Sequence, residues 1–332
     1  MNRRQALITA AALVVAGRAR AQSWGDPPTP AAESVDAPQW PGAETLELWP
    51  DGLPGGETAA PAWDATMNGP MGERQLWVRG VARPSLSVYR PERPNGVAVM
   101  IVPGGGYEFI SVQAEGLAVA QRLNAEGITA FVLSYRLPAE GWTARADVSL
   151  QDAQRGLRLI RSGAFGAEAA SVAAGVLGFS AGGHLAAMLS TAWDEPVYAP
   201  VDGADAVSAR PDFAALIYPV ILTEGPDAHA GSRDHLLGLS PSPALLAARS
   251  PLGRISATTP PSFLAHSTDD GLVPPANSLR YAAALAAVNV PAELHLFDHG
   301  GHGYGMRGGP DSAGGQWPGL LAAWIRRRVA AP

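Results

Sequence analysis

From residue 96 onward the chain repeats one pattern: a short apolar run bounded by turn residues, then a segment with apolar residues at helical spacing. GVAVMIV (96–102), ITAFVLSY (128–135), SVAAGVLGF (171–179), DFAALIYPV (212–220), PSFLAHS (261–267) and PAELHLFD (291–298) read as strands. Continuous rather than alternating hydrophobicity predicts burial on both faces, as in a parallel sheet. Helices are expected over 114–127, 144–163, 180–193, 275–290 and 314–329. This alternation fits an α/β architecture, a mostly parallel central sheet with helices on both faces. QLWVRGVARPSLSVYRP (75–91) adds two short strands broken at Pro84. The pattern lapses over 220–256, which is loop-rich with one short helical stretch near 243–249. An insertion there would lie over the strand ends, where α/β proteins bind ligands.

Before the regular region the chain is of a different kind. MNRR, the 13-residue apolar run QALITAAALVVAG and the ARA at 19–21 read as a signal peptide cleaved after Ala21. The run is too short to span a bilayer core of about 30 Å. The pair Arg3 and Arg4 points to a twin-arginine route. Export to the periplasm or outside the cell is therefore expected, without stable membrane insertion. Residues 22–70, rich in Pro, Gly, Ala and Trp, read as an irregular leader over the surface. Residues 71–332 are expected to form one catalytic domain, with its insertion at about 220–256.

Composition removes several function classes. At 47% hydrophobic and 16% charged residues the chain is globular, not disordered. All 24 basic residues are Arg, scattered along a chain of net charge −6, so no nucleic-acid partner is expected. The absence of Cys excludes disulfides, thiolate nucleophiles and thiolate metal sites. No cofactor or metal is expected. PGGGYEF (103–109) fits neither G-x-G-x-x-G nor the P-loop pattern, which needs a Lys this chain lacks.

GVLGFSAGGHL (175–185) is strand, then G-F-S-A-G, then helix. That context turns a weak motif into a nucleophile elbow: Ser180 on a strained strand-to-helix turn, between glycines whose side chains would collide with neighbouring elements. The plainer reading makes Ser180 a helix N-cap. A serine hydroxyl needs a base, and the base a carboxylate to fix its tautomer. In chain order the acid and then the base must follow Ser180. The acid is Asp270 or Asp269 in HSTDDGLVP (266–274), with Asp270 favoured. The base is His302, between two glycines in GGHGYG (300–305), with His299 as rival. His295 reads as a strand-face residue, and His184, one turn after Ser180, as packed locally. The glycines after the first buried strand can turn N–H groups towards a developing oxyanion. Gly105, Gly106 and Ala181 are the expected donors.

Together PGGGY (103–107), EG (115–116), YRLP (135–138), QDAQRGLRLIR (151–161), GFSAGGHLA (178–186), HSTDDGLVP and GGHGYG resemble, in order, the signature of bacterial α/β-hydrolase esterases of the acetylxylan- and feruloyl-esterase-like group. LWPDGLPGG (48–56) resembles the leader of exported members. The resemblance covers about 45–328 and implies the α/β-hydrolase fold, Ser180 as nucleophile, Asp270 as acid and His302 as base. Ser267 departs from it, where a Gly is usual. The implied activity is hydrolysis of short acyl esters, acetyl above all, on plant-polysaccharide or oligosaccharide substrates. The alternative is a general short-chain carboxylesterase with the same catalytic residues. A non-catalytic carbohydrate-binding protein would be expected to lack a triad member. Tyr107, Trp142 and Trp193 are candidates for stacking on sugar rings.

Overall fold

The computed structural model describes residues 38–56, 60–69, 73–166 and 173–329. The expected signal peptide, residues 1–21, lies outside them. Ten strands and seven α-helices are described: β1 Thr45–Glu47, β2 Asp64–Asn68, β3 Gln75–Arg79, β4 Ser85–Tyr89, β5 Val97–Val102, α1 Ala118–Asn124, β6 Thr129–Ser134, α2 Val148–Arg161, β7 Ala173–Phe179, α3 Ser180–Thr191, β8 Ala214–Ile217, α4 Ala230–Leu237, α5 Pro243–Ala248, β9 Ser262–Ser267, α6 Ala276–Ala287, β10 Ala292–Phe297 and α7 Ala313–Val329.

Eight strands form one sheet in the order β1-β4-β6-β5-β7-β8-β9-β10, while β2 and β3 form a separate hairpin. Pairing is parallel from β6 to β10 and antiparallel at β1 and β4. Every residue of β5, β6 and β7 is buried. Their unbroken hydrophobicity is explained by helices on both faces. One face packs Leu150 and Leu157 of α2, Leu185 and Leu189 of α3, and Tyr281 and Leu285 of α6. The other packs Val119 and Leu123 of α1 and Trp317, Leu321 and Trp324 of α7. This is the expected α/β-hydrolase architecture, with the strand ends of β5, β7, β8 and β9 converging at one edge.

Two expectations need correction. Residues 22–70 are not a surface leader in their described part. β1 pairs with β4, and Leu48 and Trp49 are buried in the core. Trp49 Nε1 donates to Asp152 at 2.7 Å, and Asp152 also holds Arg136 at 2.7 Å in a fully buried ion pair. Arg136 in turn donates to the carbonyl of Pro54. Buried charges persist only when paired and hydrogen-bonded, so this network fixes 48–54 to α2. Segment 220–256 also holds more helix than its sequence suggests, since α4 precedes the expected α5. Among the described residues no helix is long and apolar enough to cross a membrane.

Candidate active site

The end of β7 delivers Ser180. Its φ is +50°, a left-handed conformation that strains a non-glycine residue by about 1–3 kcal/mol. The flanking glycines make that turn sterically possible. A Cβ on Gly182 would lie 2.2 Å from the Val102 carbonyl oxygen, and one on Gly178 would lie 2.3 Å from that of Gly182. Both contacts are to backbone, which cannot swing away. The helix α3 therefore starts close against β5, and the serine is lifted to the sheet's edge.

The structure brings Ser180, His302 and Asp270 into one chain of hydrogen bonds. Ser180 Oγ is 2.9 Å from His302 Nε2, and His302 Nδ1 is 2.7 Å from Asp270 Oδ2. A carboxylate only accepts, so Nδ1 carries the proton and Nε2 is free to accept from the serine. The backbone N–H groups of Leu272 and Val273 donate to Asp270 Oδ1. Burial opposes ionisation of Asp270, but hydrogen bonds from His266 and His302, the His302 charge and the Val273 N–H outweigh it. Its carboxyl is held well below the usual carboxylate range. The alternatives fall outside this chain. Asp269 is exposed and accepts from the Gly301 N–H, and His299 is exposed beside Asp269 and Asp298.

His266, unassigned in the sequence, orients the acid. Its Nε2 lies 2.9 Å from the Val273 carbonyl and 3.2 Å from Asp270 Oδ2, while Nδ1 lies 2.7 Å from Ser278 Oγ. The carbonyl fixes the proton on Nε2. Ser267 sits in β9, and its Oγ lies 3.4 Å from the His299 carbonyl. It does not have positive φ; Gly300 opposite does, at +157°, and a Cβ there would meet the serine oxygen at 2.3 Å. The departure at 267 is thus accommodated by the glycine facing it.

The loop after β5 carries Gly105 and Gly106, with φ of +127° and +66°. Both line a cavity of about 260 Å³ together with Ser180 and His302. Ala181 stands in the first turn of α3, where an N–H has no intrahelical acceptor. The Gly104 N–H is already taken: it donates to Glu115 Oε2 at 2.7 Å. Glu115 Oε1 is 2.7 Å from the Tyr218 hydroxyl, which accepts from the Gly305 N–H at 3.0 Å. Tyr218 must therefore donate to Glu115. One buried carboxyl thus ties the glycine loop to the loop that carries His302. Burial pushes Glu115 above the usual carboxylate range, against hydrogen bonds from Tyr218 and Gly104.

His184 is packed as expected. Nδ1 lies 2.8 Å from the Tyr107 hydroxyl and Nε2 lies 2.9 Å from the Arg249 carbonyl. Burial pushes its pKa down to about 4. The expected sugar-stacking residues are a correction. Tyr107 and Trp142 are buried, at 1% and 4% exposure, and neither they nor Trp193 line the cavity. Tyr107 is spent supporting His184, and Trp142 lies under the Arg136 guanidinium. The cavity's aromatic wall is instead Trp77 of β3, stacked on Phe109 at 3.8 Å and 11°. Asn68, Gln75 and Arg307 add polar groups. His229 and His235 of the 220–256 segment were also missed. His229 lines the cavity, and His235 Nδ1 lies 2.9 Å from the Gly106 carbonyl.

Fold and relatives together define the class: the architecture is that of the α/β-hydrolases. Residues 86–285, more than half of the chain, match the BD-FAE family model, and the chain belongs to that family. It is 34% identical over 222 residues to an acetylxylan esterase of Xylanibacter ruminicola, covering 66% of this chain and 43% of that protein. It is 33% identical over 210 residues to endo-1,4-beta-xylanase B of Butyrivibrio fibrisolvens, covering 62% of this chain and 32% of that protein. The chain thus spans less than half the length of these curated relatives. A crystal structure of an acetyl ester-xyloside bifunctional hydrolase from Caldicellulosiruptor lactoaceticus superposes with a TM-score of 0.69 at 34% identity, covering 89% of this chain and 98% of that one.

Proposed function

We propose that this protein is an exported serine esterase that removes short acyl groups, chiefly acetyl, from plant-polysaccharide or oligosaccharide esters. The observation that carries the reading is the hydrogen-bonded series Ser180–His302–Asp270 opening on a cavity rimmed by Gly105 and Gly106. Ser180 Oγ attacks the ester carbonyl while His302 Nε2 takes its proton. The carbonyl oxygen becomes an oxyanion, which the N–H groups of Gly105, Gly106 and Ala181 stabilise. Such donors are worth about 3–4 kcal/mol each when removal is measured. His302 then returns the proton to the leaving alcohol. Water, deprotonated by the same imidazole, releases the acid from the acyl-enzyme. Asp270 keeps the tautomer and stabilises the imidazolium that forms in both halves.

The acetyl and carbohydrate parts rest on the relatives named for acetylxylan esterase and xyloside activities, and on the aromatic and polar wall of the cavity. Export rests on the MNRR and ARA signals of the N-terminus. The test is acetate release from acetylated xylo-oligosaccharides beside p-nitrophenyl acetate, with Ser180→Ala as control. Cleavage of both, abolished in the variant, is expected. Cleavage of p-nitrophenyl acetate alone would keep the esterase and overturn the carbohydrate substrate.

A further inference from the structure

The segment 220–256 brings one side chain into the cavity whose hydrogen-bonding state is fixed by its surroundings. His229 is the N-cap of α4, and its Nδ1 accepts from the Ser232 N–H at 3.2 Å and lies 2.8 Å from Ser232 Oγ. A backbone N–H can only donate, so Nδ1 is unprotonated. The proton of the neutral ring is then on Nε2. Among the described residues Nε2 meets no hydrogen-bond partner, while His229 is one of the residues that line the cavity with Ser180, His302 and Leu272.

The ring is also held in place. One residue group before it, Asn277 Oδ1 accepts from the N–H groups of Ile221 and Leu222, and Asn277 Nδ2 donates to the Asp227 carbonyl. After it, His235 bonds the Gly106 carbonyl, and Arg145 donates to the carbonyls of Asp234 and His235. Helix α4 is therefore fastened to the oxyanion loop at one end and to α6 through Asn277 at the other. A polar group on a rigid element loses little freedom when it binds. Burial, and then the nearby His302 and His235, push the His229 pKa down to about 4, so the ring stays a neutral donor above that pH.

We propose that His229 is a specificity-determining residue, whose Nε2–H donates to a hydroxyl neighbouring the scissile ester on the alcohol side of the substrate. The side is assigned from the cavity that His229 shares with His302, the group that returns a proton to the leaving alcohol. The ligand chemistry is a ring alcohol bearing a vicinal hydroxyl, as a pyranose does when one of two adjacent ring hydroxyls is acetylated and the other is free. This assignment rests on the esterase reading above.

The test compares trans-2-hydroxycyclohexyl acetate with cyclohexyl acetate, which differ by one hydroxyl beside the ester. Rates are normalised to hydroxide-catalysed hydrolysis, so that intrinsic reactivity cancels. One neutral hydrogen bond predicts about a fivefold preference in kcat/KM for the hydroxylated ester in the wild type. His229→Asn keeps an N-cap acceptor for Ser232 but is too short to reach the substrate. It is expected to bring the ratio close to one, and His229→Ser, a second capping variant, should do the same. A capping role alone would leave the ratio unchanged. A wild type without the preference, or variants that retain it, overturns the assignment while leaving the esterase intact. A wild type that releases acetate from neither ester contradicts the esterase reading and this assignment with it.

Discussion

The two sides of the cavity are built on different principles. The floor, Ser180 with the glycine loop and the ends of β7 and β9, is held by backbone sterics. Gly178, Gly182 and Gly105 occupy places where a Cβ would strike main-chain atoms at 2.1–2.3 Å. The outer wall, Trp77 and Gln75 of the hairpin with His229 of α4, is built from side chains on short elements outside the main sheet. A floor held in this way has little room for substitution, and the proposed chemistry depends on it. The wall can exchange side chains and keep that chemistry, and so it is where substrate preference can vary.

The largest effect should come from the floor. Asp270→Asn is expected to lower kcat by about ten-thousandfold, as loss of the tautomer-fixing carboxylate does in serine hydrolases. Asp269→Asn should leave the rate nearly unchanged, because an amide oxygen still accepts from Gly301. Equal losses in steady-state assays of the two variants would erase the distinction between the adjacent acids.

Next comes the strut beneath the floor. In Glu115→Gln the amide oxygen can keep only one of the bonds from Gly104 and Tyr218, and its NH₂ then faces either the Gly104 N–H, which cannot accept, or the Tyr218 hydroxyl, which must turn its own proton away to accept. Displacing the oxyanion loop should lower kcat about 10- to 100-fold with little change in KM. The same variant has a pH signature. Glu115 holds its proton to higher pH in the folded protein than in the unfolded chain. The folded state thus binds more protons there, and this residue's contribution to stability declines as pH rises above the usual carboxylate range. Urea titrations across that range should show the decline in the wild type and not in Glu115→Gln.

The smallest effect on turnover, though not on stability, concerns the support behind α3. An unfolded histidine takes up a proton near 6.5, whereas folded His184 does so near 4. Between these values the unfolded chain binds more protons, so stability falls as pH drops. The His184 share is on the order of 3 kcal/mol once pH is below 4. His184→Gln, which can still meet Tyr107 and Arg249, should flatten this acid-side slope in chemical denaturation while altering kcat little. An unchanged slope would contradict a neutral, buried His184.

The same division explains what the sequence revealed. Strands β5 to β8 were legible because burial on both faces leaves unbroken apolar runs. Ser180 was legible because the elbow requires glycine at two fixed places. Its partners Asp270 and His302 stood out as polar residues among turn glycines at strand ends. The wall was not legible. DATMN (64–68) carries no strong strand pattern, and it forms β2 only because β3 pairs with it. Helix α4, AGSRDHLL, has too little apolar periodicity to announce itself. Its one signal was the HAGS start at 229–232, a polar N-cap residue before small ones. Trp142 and Tyr107 misled because an aromatic residue near a motif says nothing about which side of the backbone it faces.

Whether the floor does the chemistry is tested most directly by intact-mass analysis after exposure to a fluorophosphonate, with peptide mapping of the adduct. One adduct per chain on Ser180 is expected, absent in Ser180→Ala and formed far more slowly in Asp270→Asn. A folded wild type that does not react, or that reacts at a different serine, would contradict the catalytic arrangement described above.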